Sequence, residues 1–329
     1  MLEILNEFRE RLDTVMHKCM DKRIVLYGYG YSGKFIGWYA EYCHSIKPDY
    51  IITQDMTSNI PYEFELYRES LFDFDYKDVK DAIVWLCIPE TEEIRSCLEK
   101  HGYIKNSTYF NFCEIAYAET NISGDENNVQ FLRWLEEKYL CDFVTTIPKE
   151  NFLQMIEDTH AFVGSTQKEL FPLLDKCHID CKDAIFDFGC GKGGAMLSFL
   201  DYGFKKVGGI EYQNVIYNVL IKNFENLGLT NEMQSGNIMC INGDATTLEE
   251  ELNEFNWFYF FDPFEGEVFK RTIENICKSL EKCPRKMHII YINPRCHEII
   301  ENTKKFELTN RFTILTRQRV VNIYVSKMR

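Results

Sequence analysis

Four carboxylates stand at or just past the ends of apolar runs in the second half of this chain: Asp187, Glu211, Asp244 and Asp262. The first lies in Ala184-Ile185-Phe186-Asp187-Phe188-Gly189-Cys190-Gly191-Lys192-Gly193-Gly194, where three apolar residues lead into an acid and glycines follow at alternate positions. The apolar run predicts a buried parallel strand. The glycines predict a tight turn whose backbone comes close to a ligand. Ala195-Met196-Leu197-Ser198-Phe199-Leu200 then predicts a helix packed back on the sheet. Strand, glycine turn and helix N-terminus together suit a nucleotide-like ligand. Taken alone, the same residues also suit an ordinary strand-to-helix turn.

The other three acids narrow that choice. Lys206-Val207-Gly208-Gly209-Ile210-Glu211 predicts a second strand ending in an acid. A carboxylate there can accept hydrogen bonds from both ribose hydroxyls, contributing about 1.5–3 kcal/mol each. Ile238-Met239-Cys240-Ile241 leads into Asn242-Gly243-Asp244-Ala245, and Trp257-Phe258-Tyr259-Phe260-Phe261 into Asp262-Pro263-Phe264.

This ordered set resembles the class I S-adenosylmethionine (SAM)-dependent methyltransferases, whose first motif is an acid followed by G-x-G-x-G. Asp187, Gly189, Gly191 and Gly193 fit that motif position by position. The resemblance implies SAM as cofactor and a mostly parallel seven-stranded sheet with one reversed strand. It places Asp187, Gly189, Cys190, Gly191, Gly193, Glu211, Tyr212, Asp244, Ala245 and Asp262 around the cofactor, with Asp244 on the adenine amino group. Cys190 reads as a small residue fitting a crowded turn rather than as a nucleophile. Asp262 and Phe264 are the catalytic candidates, at the acceptor side. Asp262-Pro263-Phe264 resembles the [DN]-P-P-[YF] motif of amino methyltransferases but lacks its second proline, so N-methylation does not follow. Alternatively, Pro263 ends the strand and Phe264 walls the site.

The first third of the chain predicts another strand–loop–helix unit. Arg23-Ile24-Val25-Leu26-Tyr27 enters Gly28-Tyr29-Gly30-Tyr31-Ser32-Gly33-Lys34, a G-x-G-x-x-G between a strand and a helix. A strand follows at Tyr50-Ile51-Ile52-Thr53-Gln54, with Asp55 just past its end. Another runs from Ala82 to Ile88, and Thr91-Glu92-Glu93 predicts a capping box on a helix reaching Lys100. This unit resembles the Rossmann-type domains of nucleotide-sugar and polysaccharide-biosynthesis enzymes, through Gly28, Gly30, Gly33 and the strand pattern. The resemblance implies nucleotide binding at Gly28, Gly30, Gly33 and Asp55. An NAD(P)-dependent oxidoreductase is an alternative, although no hydride-transfer residue can be named. A purely architectural role is another, because Tyr29 and Tyr31 are bulky for a pyrophosphate loop.

The expected fold is therefore α/β, with two doubly wound Rossmann-like domains. They are residues 1–120 and 151–329, joined by a linker and docking helix at 121–150. The polar run Thr120-Asn121-Ile122-Ser123-Gly124-Asp125-Glu126-Asn127-Asn128 marks the linker, and Val129 to Leu135 begins the helix. Residues 152–174 read as mostly helical. Within them, Ser165 and Thr166 suit a methionine carboxylate or, for Thr166, a helix cap. His160 reads as structural or as a general base. Met287 to Pro294 predicts a further strand, and Arg311–Leu315 with Val320–Val325 a closing antiparallel pair.

Composition bounds the partners. The chain has 329 residues, enough for two domains at roughly 150 each. Its 37 Lys and Arg against 51 Asp and Glu give a net charge of −14, which argues against a general nucleic-acid binder. A small molecule or nucleotide sugar is the expected substrate, and a homodimer the expected assembly if there is one. The 13 cysteines form no C-x-x-C pair, so no metal is expected, and reduced thiols suit a cytoplasmic location. Residues 1–20 read as an amphipathic helix rather than a signal peptide, and no apolar run reaches membrane-span length.

Overall fold

The computed structural model describes residues 5–53, 65–67, 71–72, 74–115, 130–145, 167–314 and 319–327. The chain divides into two units, Glu3–Lys138 and Tyr139–Arg329. The division falls inside the segment expected to be linker and docking helix.

In the first unit, parallel strands β1 (Ile24–Tyr27), β2 (Tyr50–Ile52), β3 (Glu65–Tyr67), β4 (Ile83–Leu86) and β5 (Tyr109–Asn111) form one sheet in the order β3-β2-β1-β4-β5. Helices α1 (Asn6–Cys19), α2 (Tyr31–His44), α3 (Glu92–Lys100) and α4 (Phe112–Ile115) accompany it. Successive side chains of a strand point to opposite faces. Val25, Tyr27, Val84 and Leu86 accordingly share a core with Ile94 and Leu98 of α3. On the other face, Trp85 donates its indole N–H to Cys19 Sγ of α1 at 3.2 Å. Helix α5 (Gln130–Tyr139) belongs mainly to this unit, where Trp134 lies 5.5 Å from Phe8 and Lys138 pairs with Glu7.

The expected capping box on α3 is only half present. Thr91 Oγ1 accepts the Ile94 N–H at 3.3 Å, but the third helical residue is Ile94, which cannot reach back to the cap. Glu90 is instead drawn inward. Its side chain is 1% exposed and accepts from Arg95, Lys105 and Tyr109 at 2.7, 2.6 and 3.0 Å. Burial pushes its pKa up, but these donors outweigh that and hold it at about 2.

The second unit holds β6 (Ala184–Phe188), β7 (Lys206–Glu211), β8 (Ile238–Asn242), β9 (Trp257–Phe261), β10 (His288–Ile292), β11 (Phe306–Ile314) and β12 (Arg319–Ser326). Their order is β11-β12-β10-β9-β6-β7-β8, with β12 antiparallel to both neighbours and the other pairs parallel. Counted from β6 this reads sixth, seventh, fifth, fourth, first, second, third, the mostly parallel sheet with one reversed strand that the resemblance implied. The helices are α6 (Gln167–Asp175), α7 (Gly194–Tyr202), α8 (Asn214–Asn226), α9 (Thr230–Gln234), α10 (Gly266–Lys282) and α11 (His297–Asn302).

Aromatic residues fill the α10 side of this sheet. Phe188 stacks on Phe260 at 4.5 Å, and Phe269 of α10 stacks on Tyr291 at 4.8 Å. The paired glycines of β7 answer to this bulk. A Cβ at Gly208 would sit 2.4 Å from the Phe186 ring, and one at Gly209 would sit 2.7 Å from Cys190 Cβ. Glycine in a strand interior normally weakens it, and here it admits a close neighbour on each face. Among the described residues, no helix is long and apolar enough to cross a membrane.

Candidate functional site

The order reverses between β6 and β9, and ligands of open α/β sheets bind beyond the strand ends at such a switch point. Asp187, the glycine loop, Glu211, Asp244 and Asp262 all lie at that edge.

The loop is bound to the neighbouring strand. Gly189 and Cys190 both donate backbone N–H groups to the Ile210 carbonyl at 3.0 Å. Gly189 has φ +78°, and a Cβ on it would meet Pro263 at 2.7 Å, so the turn after β6 touches the turn after β9. Glu211 completes the lock. Its Oε2 accepts from Gly191 N at 3.1 Å and its Oε1 from Gln213 N at 2.8 Å. A carboxylate has about four acceptor positions, and backbone N–H groups occupy part of them here.

Burial raises the pKa of both Glu211 and its neighbour Asp187. At Glu211 three backbone N–H groups counteract the rise. Asp187 is pushed up to about 8 by burial and by the Glu211 charge. Two buried carboxylates that interact do not both ionise readily. Burial, then the Glu211 charge, thus favour a proton on Asp187. The Cys190 thiol is pushed well above its ordinary value by burial, then by Asp187 and Glu211. It packs as a neutral side chain against Gly209.

Asp244 caps a 3-10 turn, Ala245–Thr247, accepting the Thr246 N–H through Oδ1 at 2.8 Å. The preceding Gly243 has no heavy atom within 4 Å of where a Cβ would stand, and its N–H donates to the Glu211 carbonyl at 3.1 Å. Tyr212 is half-buried, with its carbonyl accepting from Asn242 at 3.3 Å. Two expected site residues turn elsewhere. Ala245 is buried in the hydrophobic core. Phe264 was expected beside the acceptor, but it follows Pro263 out of the strand and points its ring into the same core, 6.3 Å from Phe260.

Asp262 stays at the edge, nine-tenths buried, with φ +45°. Its Oδ2 lies 3.2 Å from Nε of Arg295, a residue that sequence reading passed over. Lys192 was also passed over. It is 1% exposed inside the glycine loop, and its ammonium donates to Asp142 Oδ1 at 2.7 Å and to the Thr145 carbonyl at 2.5 Å. Asn223 of α8 holds the same segment, taking the Asp142 N–H at 2.7 Å and donating to the Asp142 and Lys192 carbonyls at 2.9 and 3.2 Å. A lysine between glycines was the one available signal. His160, Ser165 and Thr166 lie outside the described residues.

In the first unit, Gly28 has φ +91°, and a Cβ there would meet Ile88 at 2.4 Å. A Cβ on Gly33 would lie 2.0 Å from the Gly28 carbonyl oxygen, so helix α2 rides directly on the turn. Gly30 faces open space. Tyr29 is half-buried, its phenol pushed up to about 12 by burial and then by Glu41, and the Lys34 ammonium sits 6.0 Å from its ring. Asp55 lies outside the described residues.

No family model matches the chain, and no curated protein does. Solved structures match about half of it. One is the PH0226 protein of Pyrococcus horikoshii OT3, at 18% identity over 49% of this chain and 89% of that one, with a TM-score of 0.38. A second is an RNA methyltransferase from Salinibacter ruber in complex with S-adenosyl-L-homocysteine, at 13% identity over 51% and 95%, TM-score 0.37. A third is a TehB-like SAM-dependent methyltransferase from Corynebacterium glutamicum, at 16% identity over 47% and 86%, TM-score 0.34.

Proposed function

We propose that the unit Tyr139–Arg329 is a SAM-dependent methyltransferase acting on a small-molecule or sugar-linked acceptor. The observation that carries this reading is the Glu211 carboxylate, buried at the end of β7 and tied by one oxygen to the glycine loop at Gly191. An acid so placed accepts ribose hydroxyls while the loop's backbone receives the rest of the ligand. The residues present fit the cofactor. Gly243 lies beside Glu211, donating its N–H to the Glu211 carbonyl at 3.1 Å, and Asp244 has engaged Oδ1 in its cap.

The cofactor supplies a methyl group already activated by its sulfonium. The chain's part is mainly to hold donor and nucleophile in line, which can supply roughly 7–11 kcal/mol of the barrier. Asp262, just past the end of β9 on the far side of β6 from Glu211, orients the acceptor or takes its proton.

Calorimetry with S-adenosylhomocysteine tests the reading. The wild-type chain should bind it, and Asp244→Ala should bind it distinctly more weakly. Wild-type affinity in Asp244→Ala and in Glu211→Ala would sink the assignment of both acids. Tight binding without methyl incorporation into any cell-extract component would favour a non-catalytic SAM-binding regulator.

A second reading concerns Glu3–Lys138. Its glycine loop has the close helix–turn packing of Gly33 on Gly28 together with an open Gly30, the division of roles that a pyrophosphate loop requires. We infer that it takes the phosphate of a nucleotide or nucleotide sugar. NMR titration of the full chain with UDP, dTDP, GDP and NAD tests this. Unmoved amides from Gly28 to Lys34 would leave the loop as architecture, and a response to NAD alone would revive the oxidoreductase alternative.

A further inference from the structure

Two neighbouring parallel strands end alike. β9 runs into Asp262-Pro263 and β10 into Asn293-Pro294, and the register that sets Phe261 opposite Ile292 carries Asp262 alongside Asn293. Both have positive φ, +45° and +52°. A residue before proline favours extended backbone, and left-handed backbone costs a non-glycine residue stability as well. The turn at Asn293 is held all the same. Its N–H donates to the Val320 carbonyl at 2.9 Å, and its own carbonyl accepts from Arg295 N at 2.7 Å.

The backbone of Asn293 is thus engaged on both sides while its side chain is not. Asn293 is half-buried, and its carboxamide has no hydrogen-bond partner among the described residues. Asparagine suits left-handed backbone partly because its amide can bond locally, and Asn293 makes no such bond. The carboxamide therefore keeps two donors and an acceptor beside the carboxylate assigned to the methyl acceptor. An ammonium group could use only the carboxamide oxygen, and an anion only its N–H groups. A hydroxyl donates and accepts, so it can use both. Side chains rooted on adjacent strands, about 5 Å apart, can share two neighbouring hydroxyls of one sugar ring.

We propose that Asn293 recognises the methyl acceptor, hydrogen-bonding a hydroxyl next to the one that is methylated at Asp262. The proposal rests on the methyltransferase reading and narrows the acceptor to a sugar or another compound with neighbouring hydroxyls. The oxygen of the reacting hydroxyl bonds the methyl carbon, leaving the carbon–sulfur electron pair on sulfur, and its proton passes to Asp262. Asn293 holds the neighbouring hydroxyl and thereby fixes which oxygen faces the methyl group.

The test is nitrogen-15 NMR of asparagine side-chain amides in the full chain saturated with S-adenosylhomocysteine. It is titrated separately with the methyl α-glycosides of glucose, galactose and mannose, and with propylamine. The Nδ2 signals of Asn293 should move saturably with at least one glycoside and not with the amine. Glycine adopts left-handed backbone freely, so Asn293→Gly deletes the carboxamide and keeps the turn. Read at the Asp262 backbone amide, glycoside affinity should fall about tenfold in that variant, or about 1.4 kcal/mol. The proposal is overturned if the Asn293 signals move no more than those of the exposed Asn302 and Asn310, if only the amine moves them, or if Asn293→Gly binds the glycoside as the wild type does. Calorimetry of S-adenosylhomocysteine on the wild type is a separate arm. No binding there defeats the methyltransferase reading and this proposal with it, whereas binding without a glycoside response defeats only the role of Asn293.

Discussion

Asp262 and Asn293 adopt the same left-handed backbone conformation side by side, with φ +45° and +52°, at the ends of neighbouring parallel strands. Each stands directly before a proline. Such backbone costs about 1–3 kcal/mol at a non-glycine residue and persists where the surroundings hold it. Glycine relieves it, so Asp262→Gly should keep or raise the melting temperature while removing the carboxylate. Methyl incorporation into extract components should then fall by roughly a hundredfold or more, with S-adenosylhomocysteine affinity little changed. Loss of folding instead would make Asp262 a structural residue.

Glu211→Ala removes the acceptor of both Gly191 and Gln213. S-adenosylhomocysteine binding should weaken by roughly 10- to 150-fold, the worth of about 1.5–3 kcal/mol of charged hydrogen bonding. The melting temperature should also drop, because two backbone donors lose their partner. Titration calorimetry and thermal unfolding on one sample separate the two effects.

Asp187 titrates near 8 in the fold, raised by burial and Glu211, against an ordinary value of 3.8. The folded chain thus holds a proton that the unfolded chain releases. The stability this contributes is full below about pH 4 and is lost as pH rises towards 8. Asp187→Asn lacks the titration, so its stability relative to wild type should climb from pH 5 to pH 8.5 in denaturant unfolding. Parallel curves would show that Asp187 does not hold the proton.

His288 stacks on Trp257 with ring centres 3.8 Å apart, and burial followed by Lys286 lowers its pKa to about 4. The unfolded chain takes up a proton near pH 6.5 and the folded chain does not until near 4. Stability should fall across that window by no more than about 3 kcal/mol. His288→Phe retains the stack and should lose less stability between pH 7.5 and 5. A wild-type-like loss would assign the acid sensitivity to other groups.

Lys192→Met keeps the buried stem and deletes the ammonium that holds Asp142 and the Thr145 carbonyl. Hydrogen exchange at Cys141 to Thr145 should quicken at least tenfold, about 1.4 kcal/mol of local opening, while α10 stays protected. Unchanged exchange would show that the Lys192 ammonium does not hold this segment.

Long, strongly apolar elements were legible in the sequence because burial on both faces of a parallel strand leaves a continuous apolar run. β1, β4, β9 and β10 all carry one. β3 and β5 were not, being three residues each and deriving their pairing from β2 and β4 rather than from their own pattern. At the site, glycines and strand-terminal acids were visible because their roles depend on backbone position. Arg295, Lys192 and Asn223 were not, because each acts through a partner distant in sequence. Phe264 and Ala245 sit close in sequence to Asp262 and Asp244, yet side-chain direction after a strand ends is set by local φ and ψ, which adjacency does not encode.

The placement of β12 between β10 and β11 constrains how the second unit is built. β11 is made first but has no sheet neighbour except β12. During synthesis it waits unpaired, and β10 meanwhile presents a bare edge of backbone N–H and C=O groups. The hairpin must form and enter as a pair, a step dominated by non-local contacts and slow for that reason. Until then the growing chain carries an adhesive edge where another copy's strand can lodge.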